Sequence, residues 1–185
     1  MKDSTAVLFR EIQERFVKII WTHKIHLCQA DIYAKKNNRR NTILTICSVF
    51  VSAAAITNVF KWLPESIILP LLAFLSLLLT FFTVKYKSEN LGKAAAENER
   101  FAAIMHDLRN KYAGLLSDIK ADVLSEEEII RRRNQLERDE NLAYSGITPK
   151  TTQEAVTAAS TALKMNQEST TTDDEISLLV SKNLQ

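Results

Sequence analysis

The chain has 185 residues, 46% of them hydrophobic, and a formal net charge of +2. Three Gly and three Pro are too few for a loop-rich fold or a β-sandwich, and two Cys supply no disulfide framework. The basic residues are mostly offset by acids or gathered beside apolar stretches, which argues against a nucleic-acid partner.

In chain order, the first element is a long amphipathic helix over residues 4–36. Leu8, Ile12, Phe16, Ile19, His23, Leu27, Ala30 and Ala34 recur at spacings of three and four, and Arg10, Arg15, Gln29 and Lys36 fall on the opposite face. This apolar face needs a partner: the membrane surface, another helix or a second copy of the chain. His23, His26 and Cys28 suggest a metal site, but one helical turn supplies at most two ligands and the only other His is His106. The spacing predicts no metal; His23 closes the apolar stripe, and His26 and Cys28 lie at its margins. The run from Lys35 to Asn41 reads as a polar break that ends a cytoplasmic segment, 1–41. No continuous apolar h-region precedes it, so no signal peptide is expected.

Two apolar stretches follow. Residues 42–60 read TILTICSVFVSAAAITNVF and residues 67–84 read IILPLLAFLSLLLTFFTV, with no charged residue in either. Each is about as long as a helix needs to cross a bilayer core of roughly 30 Å at ~1.5 Å per residue. The alternative, a buried helical pair in a soluble domain, would require the rest of the chain to wrap it, and the rest is too polar. The short connector makes the spans antiparallel neighbours. Lys35, Lys36, Arg39 and Arg40 precede the hairpin and Lys85, Lys87 and Lys93 follow it, so the positive-inside rule places both termini in the cytoplasm. Arg39, Arg40, Trp62, Lys85, Tyr86 and Lys87 are the expected membrane-interface anchors. Ser66 is a candidate cap for the second helix, with Pro70 in its first turn; a start at Pro64 would instead put Pro70 inside the helix. Thr45, Ser48 and Ser52 share one face of the first span, and Ser76, Thr80 and Thr83 share one face of the second. Such stripes serve helix packing or line a pore.

The helix is predicted to continue from Lys85 to about Ala121. Leu91, Ala94, Asn98, Phe101, Met105, Leu108, Tyr112, Leu115 and Ile119 alternate spacings of three and four, the seam of a coiled coil that serves as an intrachain stalk or an oligomer interface. Ser125 with Glu128 forms a capping box that opens a helix over 126–143, with Glu127–Arg131 and Glu128–Arg132 pairs. The triple Arg131, Arg132, Arg133 reads as a solvated face or an anion site. The segment 85–143 is thus a coiled-coil-like cytoplasmic unit. The remainder, 144–185, holds an Ala-rich helix capped at Thr148 with Pro149 in its first position and running to about Met165. A loose stretch over 166–172 and a second capping box, Thr172 with Glu175, complete it.

No phosphate loop, nucleophile elbow or zinc spacing occurs, so neither catalysis nor a cofactor is expected. The expected fold is an all-α membrane protein, a two-transmembrane helical hairpin with long cytoplasmic helical extensions.

This pattern resembles the SLATT family, the two-transmembrane effector domains associated with SMODS nucleotidyltransferases and SLOG sensors in bacterial conflict systems. The resemblance rests on WTHKIHLCQADIYAKKNNRRN, the tight hairpin, LRNKYAGLLSDI, TPKTTQEAVTAASTAL and TTDDEISLLVSKNL, in that order. The tail departs from it, ending LLVSKNL where a proline is expected. The resemblance implies an inner-membrane effector that forms a homo-oligomeric pore or otherwise disrupts the bilayer. A separate nucleotide-second-messenger synthase or sensor would trigger it during phage infection, and the infected cell would die or stop growing. A membrane-anchored helical scaffold that recruits a cytoplasmic partner is the alternative.

Overall fold

The computed structural model describes residues 3–59, 64–146 and 148–164. Within these it is all helical: α1 (Asp3–Val59), α2 (Glu65–Glu89), α3 (Leu91–Lys120), α4 (Glu126–Ser145) and α5 (Gln153–Lys164). Trp62, the polar stretch 166–172 and the capping box at Thr172 and Glu175 lie outside the described residues.

Several boundaries differ from the sequence reading. The polar run from Lys35 to Asn41 does not break the first helix; α1 is continuous over 57 residues. Lys and Arg are good helix formers, so the run changes the surface of the helix without ending it. The second helix takes Pro64 as its N-cap, which leaves Ser66 in its first turn and Pro70 inside it. The predicted continuous helix over 85–121 is interrupted at Asn90, whose φ of 35° and ψ of 52° place it in the left-handed region. Asn tolerates that conformation better than most residues and ends helices there. Ser125 caps α4, its hydroxyl accepting from the Glu128 amide at 3.3 Å. The Ala-rich helix starts at Gln153, not after Thr148.

The chain divides into two compact units, Ile32–Ala95 and the combination of Met1–Asp31 with Ala96–Gln185. The second of these is a bundle of the first part of α1 with α3, α4 and α5. Its core joins Ile12 and Ile19 of α1 to Phe101, Met105, Leu108, Tyr112, Leu115, Leu116 and Ile119 of α3 and to Ile129 and Leu136 of α4. The seam from Asn98 to Ile119 is therefore filled inside one chain, while Leu91 and Ala94, half-buried, belong to the other unit. α5 buries Ala155, Ala159, Ala162 and Leu163. Small side chains let a helix approach its neighbours closely, and the Lys164 ammonium lies 5.6 Å from the Trp21 ring of α1.

The unit Ile32–Ala95 is built otherwise. Ile68 is its one buried apolar side chain among the described residues. Ile43, Ile46, Val49, Phe50 and Ile56 of α1 and Ile67, Leu69, Leu71, Phe74, Leu77, Leu78, Phe81 and Val84 of α2 are exposed.

Candidate functional site

That exposed surface is the first candidate. A contiguous apolar surface of this extent on a soluble monomer would be unusual and marks a membrane or an association surface. Among the described residues one helical stretch, Ser66–Lys120, is long and apolar enough to cross a membrane, and its apolar part is α2. Thr45, Ser48 and Ser52 on α1 and Ser76, Thr80 and Thr83 on α2 are all exposed. Four of their hydroxyls are satisfied within their own helix. Thr45 donates to the Asn41 carbonyl at 2.9 Å, Ser48 to Leu44 at 2.8 Å, Thr80 to Ser76 at 2.9 Å and Thr83 to Leu79 at 2.7 Å. In a medium without water such back-bonding spares an unsatisfied donor. At one end of this unit Arg40 pairs with Glu89 and lies 4.8 Å from the Tyr86 ring, joining α1 to α2. Arg39, Lys85 and Lys87 are exposed beside them.

The bundle carries the polar chemistry. Glu140, 4% exposed, is the one buried carboxylate among the described residues. The Tyr112 hydroxyl donates to it at 3.3 Å, and Arg15 and Lys18 approach it at 3.5 Å each. Burial, with the Glu140 charge beside it, pushes the Tyr112 phenol up to about 12. This network ties α1, α3 and α4 at one level and gives a buried charge the partners it requires.

Asn98, the polar residue of the seam, accepts from His26 Nδ1 at 2.8 Å, and the His26 ring packs 4.5 Å from that of Phe101. The expected roles of the two histidines are thus exchanged: His26 is buried in the core and His23 is only half-buried. Burial, reinforced by His106, Arg109 and Lys24, lowers His23 to about 4. Its ring centroid is 5.4 Å from that of His106. Among the described residues no three His, Cys, Asp or Glu side chains converge as metal ligands do.

Gln29, expected on the polar face, is fully buried. Its Oε1 accepts from the Thr152 amide at 2.6 Å and the Thr152 hydroxyl at 2.9 Å, so α1 caps the start of α5. The arginine triple is distributed over acids. Arg131 and Arg132 both bond Glu128, at 2.6 Å and 2.9 Å, Arg132 also reaches Asp118, and Arg133 reaches Glu11 of α1. Arg131 therefore pairs three residues back, not four back with Glu127. Hydrogen bonds from the two arginines hold the Glu128 carboxyl down at about 2.

The profile of the SMODS and SLOG-associating 2TM effector domain family 4 matches residues 8–175, which takes in both units. The chain belongs to the SLATT family. The SLATT name denotes two-transmembrane effectors of conflict systems, and it accounts for the pairing of an exposed apolar unit with a polar bundle. No curated protein and no solved structure is significantly similar to this SLATT chain. Sequence reasoning passed over Glu140 and put Gln29 on the solvated face, since neither residue alone shows whether its surface is solvated. Only the position of Glu140 one turn after Leu136 on the buried face of α4 offered a signal.

Proposed function

We propose that this SLATT protein is a two-span effector of the bacterial inner membrane that assembles into a homo-oligomer and breaches the bilayer when a nucleotide-signalling partner triggers it. On this reading residues 42–60 and 67–84 form an antiparallel hairpin with both termini in the cytoplasm. The chain catalyses no reaction; its action is that of its membrane segment. The observation that carries the reading is the surface of the unit Ile32–Ala95, where apolar side chains on both α1 and α2 are exposed and the basic residues Arg39, Arg40, Lys85 and Lys87 flank them. The hydroxyl stripes supply what a path through that segment needs: polar groups that can turn from their own carbonyls toward water or a neighbouring helix. Without a ring of charges, such a path would select ions weakly and close by dewetting of its apolar half.

The test is dye release from proteoliposomes together with the assembly state in detergent. Wild-type protein, reconstituted at a density high enough to assemble without its trigger, should assemble and leak. Ser48→Leu with Ser76→Leu should assemble normally and not leak. Unchanged leakage in a correctly assembled double variant would refute the pore assignment of these hydroxyls, and assembly without leakage in the wild type would favour the anchored scaffold. Topology is checked separately: Cys28 should react with membrane-impermeant probes from the cytoplasm only, and a Cys placed at Glu65 from outside only.

A further inference from the structure

The outer face of the α3–α4 pair carries a groove that neither the family assignment nor the membrane reading uses. Its register is fixed by two ion pairs across antiparallel helices, Arg132–Asp118 at 2.8 Å and Lys111–Asp139 at 3.4 Å. Between these ties the helices leave a cavity of about 550 Å³, floored by the buried Leu115 and Leu136. The size lies within the range of small-ligand pockets. Gly114 lies on the α3 side of the cavity, and a Cβ built there meets nothing within 4 Å. Glycine within a helix destabilises it relative to alanine, and here no packing demands its small size. Its effect is to keep the groove wide at its centre and the α3 backbone open to whatever enters.

The walls carry four cations, Lys111, Arg131, Arg132 and Arg138, against two carboxylates, Asp118 and Asp139; Arg132 and Lys111 answer the two acids, which leaves Arg131 and Arg138 for an anion. Arg131, Gln135 and Arg138 line one stripe of α4, at i, i+4 and i+7, and Lys111 faces them from α3. The Arg138 guanidinium donates to the neutral Gln135 amide at 2.8 Å and makes no ion pair with a described carboxylate. Among the described residues Arg131 is paired with Glu128 alone, and its side chain is 73% exposed. Exposed ion pairs of this kind contribute little, so both forks can turn to a ligand without disturbing the core. Arg presents paired N–H donors that match phosphate oxygens two at a time. Seven residues of helix separate Arg131 from Arg138 by roughly 10 Å, a span that suits two or more linked phosphates better than one. Among the described residues the lining holds no aromatic side chain, and its charged groups match phosphates.

We infer that this groove binds a small soluble ligand bearing two or more linked phosphates, held by Arg131 and Arg138 over the open α3 surface at Gly114. The inference does not depend on whether the membrane segment forms a pore.

The test is isothermal titration of the full-length protein, in micelles of a neutral detergent, with inorganic triphosphate. Saturable binding of one triphosphate per chain is expected, weakening at least tenfold in Arg131→Gln with Arg138→Gln. Gly114→Trp, which fills the groove from an exposed helix position, should abolish it. Circular dichroism confirms that each variant keeps its helix content. Heat without saturation, or equal binding by the wild type and a folded arginine double variant, would overturn the inference. So would binding that appears only when cardiolipin is added to the micelles, since the groove would then take a lipid headgroup and not a soluble ligand.

Discussion

Removing the buried carboxylate of the bundle should strand the phenol that donates to it. In Glu140→Ala, Tyr112, fully buried at 0% exposure, keeps a hydroxyl with no acceptor. An unsatisfied buried hydroxyl costs about 1–3 kcal/mol. Arg15 loses one partner but keeps Glu137 at 3.1 Å and Glu11 at 3.6 Å, so its share is roughly 0–1 kcal/mol. A total of about 1–4 kcal/mol corresponds to a fall of roughly 2–16 °C in the melting midpoint of a chain this size. Tyr112→Phe alone removes one hydrogen bond and leaves Glu140 with Arg15 and Lys18, which costs about 1 kcal/mol. The double variant has no stranded hydroxyl, so it should be more stable than the two separate costs imply, by about 1 kcal/mol or more. Thermal melts of the full chain in detergent, followed by circular dichroism, measure all four corners of this cycle. Additivity within about 0.5 kcal/mol would refute the claim that the two groups depend on each other. The phenol gives a second readout. Its folded value near 12 exceeds the unfolded value of 10.0, so its stabilisation is complete below pH 10 and is lost as pH rises from 10 toward 12. Tyr112→Phe should flatten that part of the pH profile.

His23 works in the opposite direction. Its folded value near 4 lies below the ordinary 6.5, so the unfolded chain takes up the proton first, and the melting midpoint should fall as pH drops from 6.5 toward 4. His23→Leu should shrink that fall. Gln29→Ala leaves the Thr152 amide and hydroxyl without their acceptor and should release α5 at a cost of about 1–2 kcal/mol, seen as faster hydrogen exchange over Gln153–Lys164 with the α3 amides unchanged. Gly114→Ala, where added bulk meets nothing within 4 Å, should stabilise the bundle by roughly 0.5–1 kcal/mol and raise its melting midpoint by about 1–4 °C.

Periodicity made the α3 seam legible, because a long helix with its apolar residues at three- and four-residue steps has one obvious face to bury. The Ser125 cap was legible for a similar reason: the motif is local and the hydroxyl finds its amide three residues on. The errors arose where distant parts of the chain decide. The sequence placed the cap of the Ala-rich helix at Thr148, but the helix starts after Thr152, which is held by Gln29, 123 positions away. His26 and Gln29 fall off a single-stripe reading of α1 because that helix packs against both α3 and α5, which widens its buried arc beyond one seam. The run Lys35–Asn41 marks a change of surroundings along the helix, and charge alone does not stop a backbone that contains neither Gly nor Pro there. The interruption at Asn90 had a faint local signal in Asn followed by Leu and Gly, and the apolar seam on either side of it masked the break.

The Gln29 contact also gives the bundle an order of assembly. A helix of 12 residues is too short to persist in water by itself, and the first amides of α5 find their acceptor on α1. Residues 153–164 should therefore form after the α1 surface exists, closing a loop of 123 positions, and should come away before the α3 core when the unit loosens. Their release exposes Gln29 and the alanine face of α5 while the α3 core stays shut. On this account a protease or a binding protein that reaches α5 should meet a local opening before it meets global unfolding.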